Sequence, residues 1–397
     1  MAKKPSSGPR GENTVLTTAG RDPAANHGIV NPPVYHASTI LSPSYAAFEE
    51  SRKPGYDGYR YGRYGTPTTR ALDELSAALD HTDHAISVSS GLAAVSCALL
   101  AFVEAGSHIL VSDSAYEPTR TFCNSVLGRF GVETEYYDPH IGAEIERLIR
   151  PNTKVIYMES PGSHSFDIQD VPAIAEVARA RGVKTIIDNT WATPIYFKPI
   201  TKGVNVVVYA ATKYQVGHSD AMMGIIAMGE EDRDAVRDTV RRLGNTAGPD
   251  DVYLTLRGMR TMAVRLRHHM AAGLEMARWL RDRPEVKRIL HPALEDHPDH
   301  ALWKRDFTGA SGLFGTIFEP CSDAGFAAFF DALELHGLGA SWGGFESLVL
   351  PANLAKSRTA VPWTETGRVV RFHTGLEDLE DLKADVDRAF AAMKAAG

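Results

Sequence analysis

Short apolar runs, each followed by polar residues, recur through the middle of the chain and predict buried strands. Four of them end at Val88, Val111, Ile187 and Tyr209. Strands that are covered on both faces have continuous apolar runs, and helices alternate with them along the sequence. The alternation between residues 65 and 260 therefore predicts an α/β fold with a mostly parallel central sheet, as the large domain of the protein.

The pattern differs on either side of this region. Residues 1–64 are rich in Pro, Gly and Tyr and have no long period, which predicts an extended N-terminal arm that lies on a neighbouring subunit. Residues 261–397 start with a long helical pattern through Met262 and close with a strand at 369–372 and a last helix. We expect them to form a smaller C-terminal α+β domain, because 397 residues exceed the size that one core usually serves.

Lys213 lies just past the strand that ends at Tyr209. An open α/β sheet binds ligands at the carboxyl ends of its strands. A lysine amine that is desolvated there can lose its proton and condense with an aldehyde cofactor. A lysine at a strand end is usually a solvated loop residue, but the neighbours of Lys213 favour a site for pyridoxal 5′-phosphate.

Three other strand ends offer groups that suit this cofactor. Asp188 could pair with a protonated pyridine nitrogen, although a helix cap or turn is the ordinary interpretation. Gly91 and Leu92 begin a predicted helix, whose free N–H groups favour a phosphate, or they form an ordinary strand-to-helix turn. Tyr116 could stack on a flat ring. Together with Lys213 these groups match the parts of one cofactor.

The chain resembles the Cys/Met metabolism family of pyridoxal-phosphate enzymes over nearly its whole length. The segments that carry the resemblance are Ala115-Tyr116-Glu117-Pro118, Glu159-Ser160-Pro161-Gly162-Ser163, Asp188-Asn189-Thr190-Trp191, Ala211-Thr212-Lys213-Tyr214 and Ser341-Trp342-Gly343-Gly344. The resemblance implies the fold of the aspartate aminotransferase type, which is fold type I of the pyridoxal-phosphate enzymes.

The resemblance also implies roles for individual residues. Cofactor-binding residues would be Lys213 (aldehyde), Asp188 (pyridine nitrogen), Tyr116 (ring stacking), Gly91, Leu92 and Thr212 (phosphate), and Tyr61 and Arg63 (phosphate of the neighbouring subunit). Substrate-binding residues would be Arg371, which clamps the α-carboxylate, with Ser341 and Trp342 beside it. Lys213, Tyr116 and Tyr61 would be catalytic, and each site would need a homodimer, with a homotetramer as the expected assembly.

Two positions indicate a branch of the family. Many γ-acting members have a serine three residues before the lysine, where this chain has Ala210, and an Asn soon after Glu-Ser-Pro, where it has Gly162. Both differences resemble the β-lyase branch, which implies β-elimination of L-cystathionine to homocysteine, pyruvate and ammonia in methionine biosynthesis. A cysteine desulfhydrase or other cysteine-S-conjugate β-lyase, a cystathionine or methionine γ-lyase, a γ-synthase, and a non-catalytic cofactor-binding regulator stay open.

Composition argues against other classes. The net charge is −7 and no basic stripe is present, so we expect no nucleic-acid partner. No apolar stretch is long enough to span a membrane, and no secretory h-region follows the first basic residues. Three separated cysteines suit a cytoplasmic protein. His291, His297 and His300 lie among prolines and acids, which we interpret as a solvated loop without a metal.

Overall fold

The computed structural model describes residues 10–53 and 55–397, and these form twelve strands and fourteen α-helices. The strands are β1 (His84–Val88), β2 (His108–Ser112), β3 (Glu133–Tyr137), β4 (Thr153–Glu159), β5 (Lys184–Asp188), β6 (Val206–Tyr209), β7 (Gly224–Met228), β8 (Val286–Leu290), β9 (Leu313–Phe318), β10 (Gly337–Leu338), β11 (Leu348–Ala352) and β12 (Val369–His373). The helices are α1 (Glu12–Thr18), α2 (Tyr45–Ser51), α3 (Pro67–Asp80), α4 (Gly91–Leu100), α5 (Glu117–Thr121), α6 (Val171–Ala180), α7 (Thr193–Tyr196), α8 (Glu230–Arg242), α9 (Pro249–Met259), α10 (Met262–Arg281), α11 (His300–Asp306), α12 (Asp323–Asp331), α13 (Leu354–Ser357) and α14 (Leu379–Ala396).

The larger sheet has seven strands in the order β1-β7-β6-β5-β4-β2-β3. All neighbouring strands are parallel except β7, which is antiparallel to β1 and to β6. Every residue of β2, β6 and β7 is buried, because apolar clusters cover both faces of the sheet. The prediction of a mostly parallel α/β sheet is therefore confirmed, and the carboxyl ends of β2, β4, β5 and β6 lie at one edge.

The smaller sheet has five strands in the order β10-β11-β12-β9-β8. Only the pair β10 and β11 is parallel. Its core contains aromatic side chains from the strands and from α12 and α14, among them Phe314, Phe329, Phe372 and Phe390. This mixed sheet with its helices is the smaller α+β unit that was expected toward the C-terminus.

The N-terminal segment is not extended throughout. It contains α1 and α2, and Leu16 of α1 is buried in the core of its own chain. Arg260 fastens this helix by donating to the backbone carbonyl of Ala19 at 2.8 Å. Farther along, Leu41 and Tyr45 are 88% and 77% exposed, which is unusual for apolar side chains of this size. The boundaries at residues 64 and 260 stay predictions.

The histidine-rich segment near residue 295 is not a solvated loop. His291 and His297 are buried, with exposures of 0% and 7%. The ring of His291 packs against Trp191 and Phe314, with centroids 6.3 and 5.9 Å away. The prediction was wrong because these partners come from distant parts of the sequence. Among the described residues, no helix combines the length and the apolar character that crossing a bilayer requires.

Candidate active site

A cavity of about 430 Å³ opens where the carboxyl ends of β4, β5 and β6 meet the loop before β11. The predicted site residues that line it are Lys213, Asp188, Tyr116, Gly91, Leu92, Thr212, Arg371, Ser341 and Trp342. The two sheets thus contribute to one cavity, with the predicted cofactor residues at the edge of the larger sheet and the predicted substrate residues on or beside the smaller one.

Lys213 lies in the turn that follows β6, and its amine points toward Ser341 and Trp342. The Nζ atom donates to Ser341 Oγ at 2.8 Å and lies 5.7 Å from the centroid of the Trp342 ring. Burial and, to a smaller extent, the charge of Arg371 lower the pKa of Lys213 to about 8, although the charge of Asp188 opposes both. A substantial fraction of the amine is therefore neutral near physiological pH, as a nucleophile or base requires.

Asp188 is the last residue of β5, and its carboxyl is held by the residue two positions on. The backbone N–H of Thr190 donates to Asp188 Oδ1 at 2.9 Å. Thr190 also braces the next strand, because its hydroxyl accepts from the backbone N–H of Ala210 at 2.8 Å. Burial raises the pKa of Asp188 from its ordinary value. A buried carboxyl in this position gains a favourable partner when a protonated ring nitrogen enters the cavity.

The start of α4 forms a cradle at the other end of the cavity. Ser90 caps the helix by accepting from the backbone N–H of Ala93 at 3.1 Å. Gly91 lies so close to β6 that a Cβ atom there would be 2.4 Å from Ala210 Cβ. A helix start with this close approach exposes N–H groups that suit a phosphate dianion, and a larger residue at position 91 would close the cradle.

Thr212 lines the cavity, but its hydroxyl is hydrogen-bonded to the backbone of Met223, just before β7. It accepts from the backbone N–H of Met223 at 2.9 Å and donates to the carbonyl of the same residue at 3.2 Å. These bonds fix the turn that carries Lys213. A contact from Thr212 to the phosphate stays a prediction.

Tyr116 precedes α5 and faces the cavity with a ring that is 46% exposed. Its backbone N–H donates to Glu159 Oε2 at 2.7 Å, so that the end of β4 fixes the main chain of this residue. An exposed aromatic ring on a fixed backbone suits stacking on a flat heterocycle. That role stays a prediction.

Arg371 lies on β12 and reaches the cavity from the smaller sheet. Its Nη2 atom donates to the carbonyl oxygen of Ser341 at 2.8 Å. Burial lowers its pKa to about 10, and the guanidinium is still charged at neutral pH. Ser341 has a φ of 80°, which strains a residue other than glycine and is typical of functional sites. The site therefore has a fixed cation that fits a substrate carboxylate.

Tyr61 and Arg63 do not line this cavity, as far as the described residues show. The side chain of Arg63 donates to Tyr64 Oη at 3.1 Å and to the carbonyl of Arg241. Tyr61 is 43% exposed. Both residues are thus apart from Lys213 of their own chain, and the predicted contact with a neighbouring subunit stays a prediction.

Two titratable residues that line the cavity were missed as site residues in the sequence. Glu159 and His164 lie in and after the Glu-Ser-Pro segment, which was noted only as a point of resemblance. His164 has a φ of 63°, and burial lowers the pKa of its imidazole to about 4, so it is neutral. The position of Glu159 at the end of an apolar run was the available signal.

A group of polar side chains lies near this segment, formed by His140, Asp167 and Asp299, whose polar atoms lie within 4.8 Å of one another. His140 Nε2 lies 3.0 Å from Asp299 Oδ2, and Arg358 is paired with Asp167 at 2.6 Å. Neighbouring carboxylates, Asp299 first among them, raise the pKa of His140 to about 9. The group is therefore explained as an ion-pair network of histidine and arginine with two acids.

These groups together fit pyridoxal 5′-phosphate. Lys213 offers an amine for the aldehyde, and Asp188 offers a carboxyl for the ring nitrogen. The glycine at position 91 leaves room for a phosphate at the helix start. Tyr116 offers an aromatic face for the ring.

Comparisons with known proteins agree with this donor set. The model of the Cys/Met metabolism PLP-dependent enzyme family matches residues 13–391. The chain is 39% identical to cystathionine beta-lyase MetC of Escherichia coli, over 96% of this chain and 98% of that protein. It is 38% identical to the L-alanine/L-glutamate racemase of Wolbachia pipientis wMel, over 96% and 97%. The crystal structure of metB from Corynebacterium glutamicum superposes with a TM-score of 0.87 at 31% identity, covering 96% of this chain and 98% of that one.

The family model covers residues 13–391, and both named relatives match 96% of the chain. The superposition also confirms the expected fold type. The chain belongs to the Cys/Met metabolism family of pyridoxal-phosphate-dependent enzymes.

Proposed function

We propose that this enzyme cleaves L-cystathionine by β-elimination. L-Cystathionine and one water give homocysteine, pyruvate and ammonia. The observation that carries the proposal is the arrangement around Ser341, which holds the amine of Lys213 and the guanidinium of Arg371 on one residue. A base and a carboxylate clamp at fixed positions define where the Cα–H bond of an amino acid must lie.

Each residue has a distinct task in this reaction. Pyridoxal 5′-phosphate supplies an electron-withdrawing ring that stabilises negative charge at Cα. Arg371 binds the α-carboxylate through paired N–H donors. Lys213 removes the Cα proton, for which a pKa of about 8 suits an amine that must be neutral before and cationic after the transfer. Asp188 keeps the ring nitrogen protonated, and Tyr116 packs against the ring.

The carbon–sulfur bond then breaks between Cβ and sulfur. Its electron pair leaves with the sulfur, which needs a proton to depart as a thiol. Lys213, now carrying the proton from Cα, can supply it. The remaining three-carbon fragment is hydrolysed by water to pyruvate and ammonia.

Two features support elimination at Cβ rather than at Cγ. Position 210 is an alanine that packs against Gly91, so the serine of many γ-acting members is missing. Position 162 has no room for a side chain, since a Cβ atom there would lie 2.4 Å from Ser114 Cβ. The identity with a cystathionine beta-lyase over nearly the whole chain supports the same choice.

We also propose that the active enzyme is a homodimer, paired into a homotetramer and located in the cytoplasm. Exposed apolar residues on the N-terminal segment, including Ile29, Leu41 and Tyr45, suit a contact with a second copy. Tyr61 and Arg63 would enter the neighbouring cavity from there. Light scattering of the purified protein tests the assembly, and a monomer at micromolar concentration would contradict it.

A racemase is the second candidate, because a full-length relative carries that name. An amine that removes the Cα proton can return it, and a second donor on the other face of Cα would invert the centre. L-Alanine distinguishes the two activities, since it has no leaving group at Cβ. Formation of D-alanine faster than pyruvate is formed from L-cystathionine would favour the racemase.

Parallel incubations with L-cystathionine and L-cysteine test the substrate. We expect the specificity constant, kcat/KM, to be higher for L-cystathionine. A higher value for L-cysteine would favour a desulfhydrase. Binding of the cofactor without turnover of any sulfur amino acid would favour a regulator.

A further inference from the structure

Glu159 lies beside Asp188 at the edge of the larger sheet. The two residues end β4 and β5 and are opposite each other in the parallel pairing. Side chains at paired positions of neighbouring strands leave the sheet on the same face. Both residues line the cavity. Two carboxyl groups therefore share the wall on which the cofactor ring is expected.

The carboxyl of Glu159 is committed to the residue that is expected to stack on that ring. Glu159 Oε2 accepts from the backbone N–H of Tyr116 at 2.7 Å. This bond joins the end of β4 to the start of α5, and it sets where the main chain of Tyr116 lies. Arg358 is the cation whose charge acts on Glu159, and it is already paired with Asp167 at 2.6 Å.

Two carboxyl groups side by side in a buried site rarely ionise together. Burial and the neighbouring charge of Asp188 raise the pKa of Glu159 well above its ordinary range. Each carboxyl accepts a backbone N–H bond that favours its ionised form, Glu159 from Tyr116 and Asp188 from Thr190. Asp188 differs because the positive charge of Lys213 also favours its ionised form. The proton of the pair therefore belongs on Glu159 and the charge on Asp188.

We propose that Glu159 is a positioning residue for the cofactor. It fixes Tyr116 through the main chain, and as the neutral member of the carboxyl pair it leaves the negative charge on Asp188. The inference rests on the proposed cofactor site but not on the proposed substrate, because binding of the cofactor alone tests it.

Cofactor affinity of the apoprotein, measured by absorbance titration with pyridoxal 5′-phosphate, is the first test. Glu159→Gln keeps a neutral group with an oxygen that accepts from Tyr116, so we expect its Kd within about twofold of wild type. Glu159→Ala loses the bond, and we expect a Kd weaker by roughly tenfold. Equal losses in both variants, or no loss in either, would overturn the proposal. If the wild type itself binds no cofactor, the proposed function fails first.

The pH titration of the visible absorbance of the bound cofactor is the second test. The titratable and charged groups that act on Glu159 are Asp188 on β5, Tyr157 on its own strand, Tyr116 before α5 and Arg358 after α13. Because Glu159→Gln replaces one neutral group by another, we expect the midpoint to stay within about half a unit of wild type. A midpoint displaced by more than about one unit would mean that Glu159 carries the charge, which would overturn the proposal.

A matched control is the same change at an exposed site. Glu176 is exposed on α6, away from the cavity, and Glu176→Gln is the control variant. We expect it to leave Kd and the titration midpoint unchanged. Circular dichroism of each variant shows whether the fold is retained, and the test with Glu159→Gln stands even if Glu159→Ala does not fold.

Discussion

The amine of Lys213 lies 2.8 Å from the hydroxyl oxygen of Ser341, and this contact joins the two sheets at the cavity. The carbonyl of Ser341 accepts from Arg371 on β12. One strained residue thus fixes the distance between the proposed base, Lys213, and the proposed carboxylate clamp, Arg371. Relative movement of the sheets would separate the two groups on which the proposed reaction depends.

Removing the Ser341 hydroxyl frees the Lys213 amine and leaves the bond to Arg371 in place. We expect Ser341→Ala to lower kcat by roughly tenfold with little change in KM, since one hydrogen bond is worth about 1 kcal/mol. Steady-state kinetics with L-cystathionine measure both constants. Ser341→Gly is the control for backbone strain, because glycine also lacks the hydroxyl but tolerates the φ of 80°. Full activity in both variants would show that the contact is dispensable.

The buried amine of Lys213 makes the apoprotein's stability depend on pH. Its pKa falls from 10.5 in the unfolded chain to about 8 in the folded one. Between these values the unfolded chain binds more protons, so stability rises with pH across this window. We expect apo Lys213→Met to be more stable than the apo wild type at about pH 7, by up to roughly 3 kcal/mol.

This gap should shrink to less than about 1 kcal/mol as the pH rises to about 10, because the folded wild-type amine is then neutral and the unfolded amine approaches its own pKa of 10.5. Urea unfolding of the two apoproteins at both values measures it. A gap that is equal at both values would show that the lysine is not destabilised by burial.

The close approach of α4 to the end of β6 predicts that cofactor binding is sensitive to substitution of Gly91. A methyl group there would lie 2.4 Å from Ala210 Cβ and would displace the helix start. We expect Gly91→Ala to weaken the Kd for pyridoxal 5′-phosphate by about tenfold or more. Gly128→Ala is the control, since the nearest atom to a Cβ there, the Cys123 carbonyl oxygen, lies at an ordinary 3.7 Å. Equal affinity of both variants would contradict the cradle.

The strand ends could be predicted from the sequence because buried parallel strands are continuous apolar runs. The predicted ends at Val88 and Tyr209 are those of β1 and β6, and β5 extends one residue beyond Ile187. Lys213 and Asp188 were found by the same rule, since polar residues at that edge of a sheet meet in space.

The remaining features depend on contacts between distant parts of the chain. The bond from Tyr116 to Glu159 joins residues 43 positions apart. The burial of His291 depends on Trp191 and Phe314, which local polarity cannot reveal. Arg241, whose backbone carbonyl accepts a hydrogen bond from Arg63, is likewise remote from it in sequence.

If each active site is formed by two chains, two variants that are inactive alone should restore activity when they are mixed. Lys213→Ala and Arg63→Ala are each expected to be inactive or weak alone. If a site takes Lys213 from one chain and Arg63 from its neighbour, random dimers formed from an equal mixture regain about a quarter of wild-type sites. The assay is pyruvate formation after co-refolding or co-expression. Recovery no greater than the sum of the separate variants would place both residues in one chain's site.

The product formed from L-cystathionine tests the central claim most directly. The 2-oxo acid and the thiol released by the purified holoenzyme are identified by chromatography, with Lys213→Ala as the control that should lose activity by about 10³-fold or more. We expect pyruvate with homocysteine. Release of 2-oxobutyrate with cysteine, or unchanged activity in Lys213→Ala, would contradict the account.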